Sequence, residues 1–470
     1  DATTSFAPSS STNWRLARAV SRLGQLGVVS GTALDQVLVR RLQNGDPDGN
    51  VRRALEQFPF PRLREWILDA FFIRGGKEPA KPFRHPGMHT LDDSPALQAL
   101  CMAGNFVEVF LAREEHDNPV GINYLEKIQI PHLPSLYGAM LAGVAVVTMG
   151  AGIPVEVPGV LERLARHEAA AYPVRVQGAP KDRPFHASFD PADFTDEGTD
   201  RLPPLPLPRF LPIVSTDTLA RMMLRRVPGP IAGFIVEGPA AGGHNAPPRG
   251  KLQLSRDGQP IYGDRDTASL SAFRKLGVPF WLAGSYGTPE RVREALDQGA
   301  VGVQVGTPFA LCKESGLLPD LRHALLKRIL AGGGEVFTDP LASPTSFPFK
   351  VARLEHTLSE TDVYAGRRRV CDLGFLREPY LREDGTVGYR CPAEPEESFV
   401  RKGGSLAETR GRKCLCNALL ANIGLAQALY GDLKERALVT MGDDLETVRT
   451  FCTPDQLEYS AADVVHALLD

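Results

Sequence analysis

PFWLAGSYGTPERVREALDQGAVGVQVGTPF, Pro279 to Phe309, reads as strand, helix, strand. PFWLAG (279–284) and VGVQVG (301–306) are short and apolar throughout, as strands covered on both faces are. Between them TPERVREALDQG opens as a helix should, with Thr288 placed as the N-cap, Pro289 in the first turn and Glu290 beside it. Two buried strands joined by one helix form a parallel unit, and the same rhythm runs back through the chain. SFAP (5–8), LGVVS (26–30), VGIN (120–123), VAVVTMG (144–150), FLPIVS (210–215) and GFIVEG (233–238) bring the candidate strands to eight. LARAVSRLG, SLYGAMLAG and TLARMMLRRV follow the first, third and fifth as helices.

Eight parallel strands alternating with helices predict an α/β fold, a TIM (β/α)8 barrel over residues 1–346. The competing reading is a doubly wound open sheet, because PVRVQG (173–178) could supply a ninth strand. A helical insertion is expected at about 44–118, where LREWILDAFF and LQALCMAGNFVEVFLAREE have helical periodicity. Residues 179–208 carry many Pro and Asp with little periodicity and read as a surface loop or lid. From 347 to 470 the barrel rhythm stops, and the chain continues as a mixed, partly helical C-terminal extension.

The totals narrow the function. The chain has 470 residues, 43% of them hydrophobic and 23% charged, with a formal charge of −3, an ordinary globular composition. That charge gives no reason to expect nucleic acid or an anionic membrane as partner. Seven Cys in so long a chain fit a reducing cytoplasmic compartment rather than a disulfide framework. The start, DATTSFAPSSSTNW, lacks the basic region and apolar core of a signal peptide. The uncharged run from Ile128 to Val155 contains His132, Pro131 and Pro134 and reads as loop, short helix, strand and loop rather than a membrane span.

Three stretches could carry chemistry. Gly284 with Ser285, and Gly306 with Thr307, close the seventh and eighth strands, the two places where barrels of this type commonly hold a phosphate. The bland reading of each alone is an ordinary glycine-bearing turn; together they favour a phosphate-bearing cofactor. The third stretch is IVEGPAAGGHNAPPRG, Ile235 to Gly250, in which Gly238, Gly242 and Gly243 allow close backbone approach to a flat ligand. His244 then stands at the C-terminal end of a barrel strand, where its imidazole can exchange a proton near neutral pH; a loop histidine satisfied by a carbonyl is the alternative.

Other patterns carry less. MGAGIPVEVPG, Met149 to Gly159, fails the dinucleotide fingerprint because its third glycine comes too late. Cys371, Cys391, Cys414 and Cys416 lack the paired spacing of zinc knuckles and read as buried thiols, with zinc as the alternative; no metal ligands are assigned. Cys312 reads as packing. TDPLASPTSFPFK (338–350) reads as a loop whose aromatics wall either a substrate pocket or only the surface.

Together these stretches resemble the nitronate monooxygenase family, formerly the 2-nitropropane dioxygenases, related to the FMN-dependent enoyl-acyl carrier protein reductases. Glu237-Gly238 with Ala241-Gly242-Gly243-His244 is similar to its acid-glycine and AGGH pattern, Ala283-Gly284-Ser285-Tyr286 to its AGGI-type loop, and Gly302-Val303-Gln304-Val305-Gly306-Thr307 to its GVQ-x-GT motif. GINYL and GAGIP (150–154) also have counterparts. The likeness covers about two thirds of the chain. It implies a barrel binding FMN through Ala7, Asn123, Glu237, Gly242, Gly243, Ala283, Gly284, Ser285, Gln304, Gly306 and Thr307, with His244 as the catalytic acid or base. At the N-terminus only Ala7-Pro8 fits the family's opening segment, with serines 9 to 11 in place of its glycine turn. The expected activity is oxidation of an alkyl nitronate by O2. The alternatives are reduction of an enoyl thioester at the expense of NAD(P)H, and a non-catalytic flavin-binding scaffold. A homodimer is compatible with all three.

Overall fold

The computed structural model describes residues 5–6, 13–92, 94–195, 202–430 and 433–470. Eight parallel strands close a barrel: β1 (Ser5–Phe6), β2 (Leu26–Ser30), β3 (Val120–Leu125), β4 (Val146–Gly150), β5 (Arg209–Val214), β6 (Phe234–Glu237), β7 (Phe280–Ala283) and β8 (Gly302–Gln304). Each pairs with its sequence neighbours, and β1 joins β2 to β8, so no edge is left open and the open-sheet alternative is excluded. All eight strands expected from the sequence are present, the first over Ser5–Phe6, while residues 7 and 8 of its expected span lie outside the described residues.

The apolar character of these strands follows from two buried faces. Leu26, Val28, Val146, Leu211, Ile235 and Ala283 fill the barrel interior, while Val29, Val147, Phe210, Phe234, Phe280, Leu282 and Val303 pack outward in the main core. Helices Trp14–Arg22, His132–Leu141, Asp217–Arg226 and Pro289–Asp297 cover the outside. The last is capped as its sequence demands, Thr288 accepting from the Arg291 N–H. Between β2 and β3 lie helices Leu34–Gln43, Asn50–Glu56, Pro61–Phe71 and Pro95–Arg113. Pro95–Arg113 is, among the described residues, the one helix long and apolar enough to cross a membrane, and it is mostly buried inside the protein.

Two expectations need correction. The PVRVQG segment adds no ninth barrel strand: Ala170–Val174 pairs antiparallel with Phe185–Phe189 in a separate hairpin. Part of 179–208 is therefore strand rather than loop, because its Phe185, Ala187 and Phe189 alternate with polar residues and bury Ala187 and Phe189. Near residue 347 the chain runs through a hairpin, Val336–Asp339 with Phe349–Ala352, that bridges the barrel and the C-terminal extension. The extension then returns to the barrel. Residues 440–444 cross its mouth, and helix Ala461–Leu469 packs on helix Trp14–Arg22.

Candidate active site

The barrel opens at the C-terminal ends of its strands into a cavity of about 700 Å³, within the usual range of cofactor sites. Strand register sets three of its residues level, since Glu237 pairs with Ala283 and Ala283 with Gln304. Asn123, Glu237, Gly242, Gly243, His244, Ala283, Gly284, Ser285, Gln304, Gly306 and Thr307 all line this one space. Ala7 lies outside the described residues. Asn123 is held by Thr148, whose hydroxyl donates to its Oδ1 at 2.7 Å. The Oε1 of buried Gln304 has no hydrogen-bond partner among the described residues. A buried carbonyl oxygen left so invites a donor from a ligand.

The two glycine turns form one wall. Gly284 has φ +101° and Ser285 φ +61°, a pair of left-handed residues that bends the chain sharply off β7. Across from it Thr307 already accepts the Gly442 N–H at 3.0 Å. The C-terminal extension thus supplies part of the site: Thr440, Met441, Gly442 and Asp444 all face the cavity. The AGGH turn is pinned by the same segment, Gly243 N–H donating to Thr440 Oγ1 at 2.9 Å and Asp443 N–H to the Ala240 carbonyl at 3.0 Å. On the other side, Lys350 N–H donates to the Gly243 carbonyl and Asn245 N–H to that of Pro348, both at 2.9 Å. The buried Lys350 ammonium contacts both Asp443 oxygens at 2.6 Å, locking hairpin to return segment.

His244 sits in this frame. Its Nε2 lies 2.7 Å from Ser343 Oγ, which in turn lies 2.8 Å from Thr345 Oγ1, and its ring meets that of Phe349 edge-on at 4.9 Å. The 338–350 stretch therefore walls the pocket, with Phe349 as its aromatic, and also contributes Ser343. Burial pulls the His244 pKa down to about 4, so the ring is neutral near pH 7. Burial likewise pushes the Glu237 carboxyl up to about 8, so the neutral acid predominates at pH 7 and can donate a hydrogen bond. A site with one neutral imidazole and one neutral acid suits a flat, hydrogen-bonding ligand.

Apolar side chains also line the cavity, among them Leu34, Val37, Leu376, Leu419, Leu420 and Ile423. Sequence reasoning missed this apolar lining and the 440–444 segment alike; the only local signal was the glycine in MGDD, 441–444. Cys416 borders the cavity while Cys391 and Cys414 are buried.

Residues 157–332 match the family model described as nitronate monooxygenase, a span that holds His244, both glycine turns and Gln304. No curated protein matches the chain significantly. Among solved structures, FabK from Thermotoga maritima is similar at 15% identity, covering 100% of this chain and 91% of its own, with a TM-score of 0.48. A nitroalkane oxidase from Streptomyces ansochromogenes is similar at 16% identity, covering 99% and 94%, with a TM-score of 0.47.

Proposed function

From a chain whose residues 157–332 match the nitronate monooxygenase model, we propose an FMN-dependent oxidoreductase that oxidises alkyl nitronates with O2 to a carbonyl compound and nitrite. The observation that carries the reading is the shared cavity: a neutral His244, a Gln304 carbonyl with no partner among the described residues and two glycine turns face one space at the catalytic end of the barrel. The residues fit the cofactor. Gly284–Ser285 and Gly306–Thr307 would hold its phosphate end, while Asn123, Glu237 and Gln304 offer both donors and acceptors to the ring edge. Bound FMN supplies the redox chemistry.

The protein's own residues handle the proton and the anion. Ser343 occupies His244 Nε2, so Nδ1 is the atom left for the substrate. For a nitroalkane, Nδ1 accepts the α-proton; for a preformed nitronate, the anion favours the protonated ring and is held by it. In the cation both ring nitrogens donate, and Ser343 Oγ accepts from Nε2–H. The apolar part of the lining, Leu34, Val37 and Leu420 among it, takes the alkyl chain. The same apolar lining also supports a second reading, reduction of an enoyl thioester with a long acyl chain at the expense of NAD(P)H. The test is oxygen uptake by the purified protein carrying FMN. Uptake with propyl-2-nitronate and without NADPH supports the monooxygenase; NADPH consumption dependent on an enoyl thioester, with no uptake on nitronate, replaces it by the reductase.

A further inference from the structure

Outside the cavity, helix Leu34–Gln43, the loop before helix Pro95–Arg113 and that helix itself bring Asp35, His89 and Cys101 together. All three side chains are buried, and one ligand atom from each lies within 4.8 Å of the other two. His89 Nε2 stands 3.3 Å from Asp35 Oδ2 and 3.6 Å from Cys101 Sγ. A tetrahedral zinc with ordinary bond lengths places adjacent N and O ligands about 3.3 Å apart and adjacent N and S ligands about 3.5 Å apart. The observed edges match both. A pocket of about 10 Å³ adjoins the cluster, lined by Asp35, Cys101, Ser135 and His132, whose Nδ1 is buried with no partner among the described residues. That volume takes one water, which a buried nitrogen such as this would hydrogen-bond.

We propose that Asp35, His89 and Cys101 bind a zinc ion, with a water in the small adjoining pocket as fourth ligand. A divalent ion is balanced in charge by its own ligands here, one carboxylate, one thiolate and one neutral imidazole. Binding releases the Cys101 thiol proton to solvent, so affinity rises with pH. The ion would clip the first helix after β2 to the last helix before β3, with Phe375 of the C-terminal extension covering the His89 ring at 5.5 Å. None of the three ligands lines the redox cavity, although the small pocket shares Tyr124, Leu125 and Phe375 with it, and the proposal stands or falls independently of the function proposed above.

The test is metal content of the full-length protein purified without chelator or a metal-affinity step, followed by Co²⁺ substitution. One zinc per chain, a thiolate-to-cobalt charge-transfer band in the near ultraviolet, and loss of both in Cys101→Ser are expected. His89→Gln, as a second variant, should lower zinc affinity by more than the roughly 10–100-fold that loss of an outer partner costs. Should both variants fail to fold, the wild type decides alone: chelation must remove the metal and lower Tm, and Zn²⁺ must restore both. Wild-type protein that is folded, metal-free as purified and silent to added Co²⁺ and Zn²⁺ overturns the proposal, as does full zinc retention by the two variants.

Discussion

At the scale of single residues, the site separates its two titratable groups by burial, and each makes a prediction. His244→Ala should retain flavin and lose about 10²-fold or more in turnover, read from steady-state kinetics alongside the visible spectrum. Ser343→Ala removes one hydrogen bond, about 1 kcal/mol, and should lower turnover roughly fivefold. Glu237, with its folded pKa raised to about 8 from the ordinary 4.5, favours the folded state fully below pH 4.5 and loses that contribution as pH rises through 8. Glu237→Gln should therefore flatten the decline in Tm of the flavin-free protein across the interval from 4.5 to about 8, measured by thermal melts at matched ionic strength. His244 works at the other end: its lowered pKa costs stability as pH falls from 6.5 through 4.

At the scale of elements, what was legible tracks the range of the interactions. Strands β2 to β8 announce themselves because both faces are buried, and helix Pro289–Asp297 because Thr288, Pro289 and Glu290 are local signals. His244, Gln304 and the two glycine turns were legible for the same reason, each being a short motif at a strand end. Thr440 and Gly442 were not, since they reach Gly243 and Thr307 across 197 and 135 residues of chain. The hairpin from Ala170 to Phe189 was half legible: PVRVQG hinted at its first strand, while the Pro- and Asp-rich stretch around the second masked that strand's alternation and the pairing. The junction between loop and return segment is tight: a β-carbon on Gly242 would lie 2.9 Å from Gly442 N and the Met441 carbonyl carbon. Gly242→Ala should destabilise by about 1–3 kcal/mol, as overpacking does, and weaken flavin retention, both read by denaturant titration and absorbance.

At the scale of the whole molecule, the C-terminal extension belongs to the barrel it completes. It closes the mouth through Thr440 to Asp444, while the hairpin leading into it positions His244 through Ser343 and Phe349. Its last helix buries Val464, Val465 and Leu468 near helix Trp14–Arg22. Leu468→Ala, far from the cavity, should lower global stability by about 2–5 kcal/mol with little change in turnover of the folded fraction. The barrel thus supplies the glycine turns and the imidazole, and the extension the surroundings that fix them.

In the proposed reaction a nitronate gives electrons to a flavin in this cavity. Its most direct test is an anaerobic visible spectrum of the flavin-loaded protein during addition of propyl-2-nitronate. Electron transfer from the substrate gives a flavin band that falls on nitronate alone and returns when air is admitted. A flavin band indifferent to nitronate but bleached by NADPH would contradict it, and a protein that takes up no FMN would remove its basis.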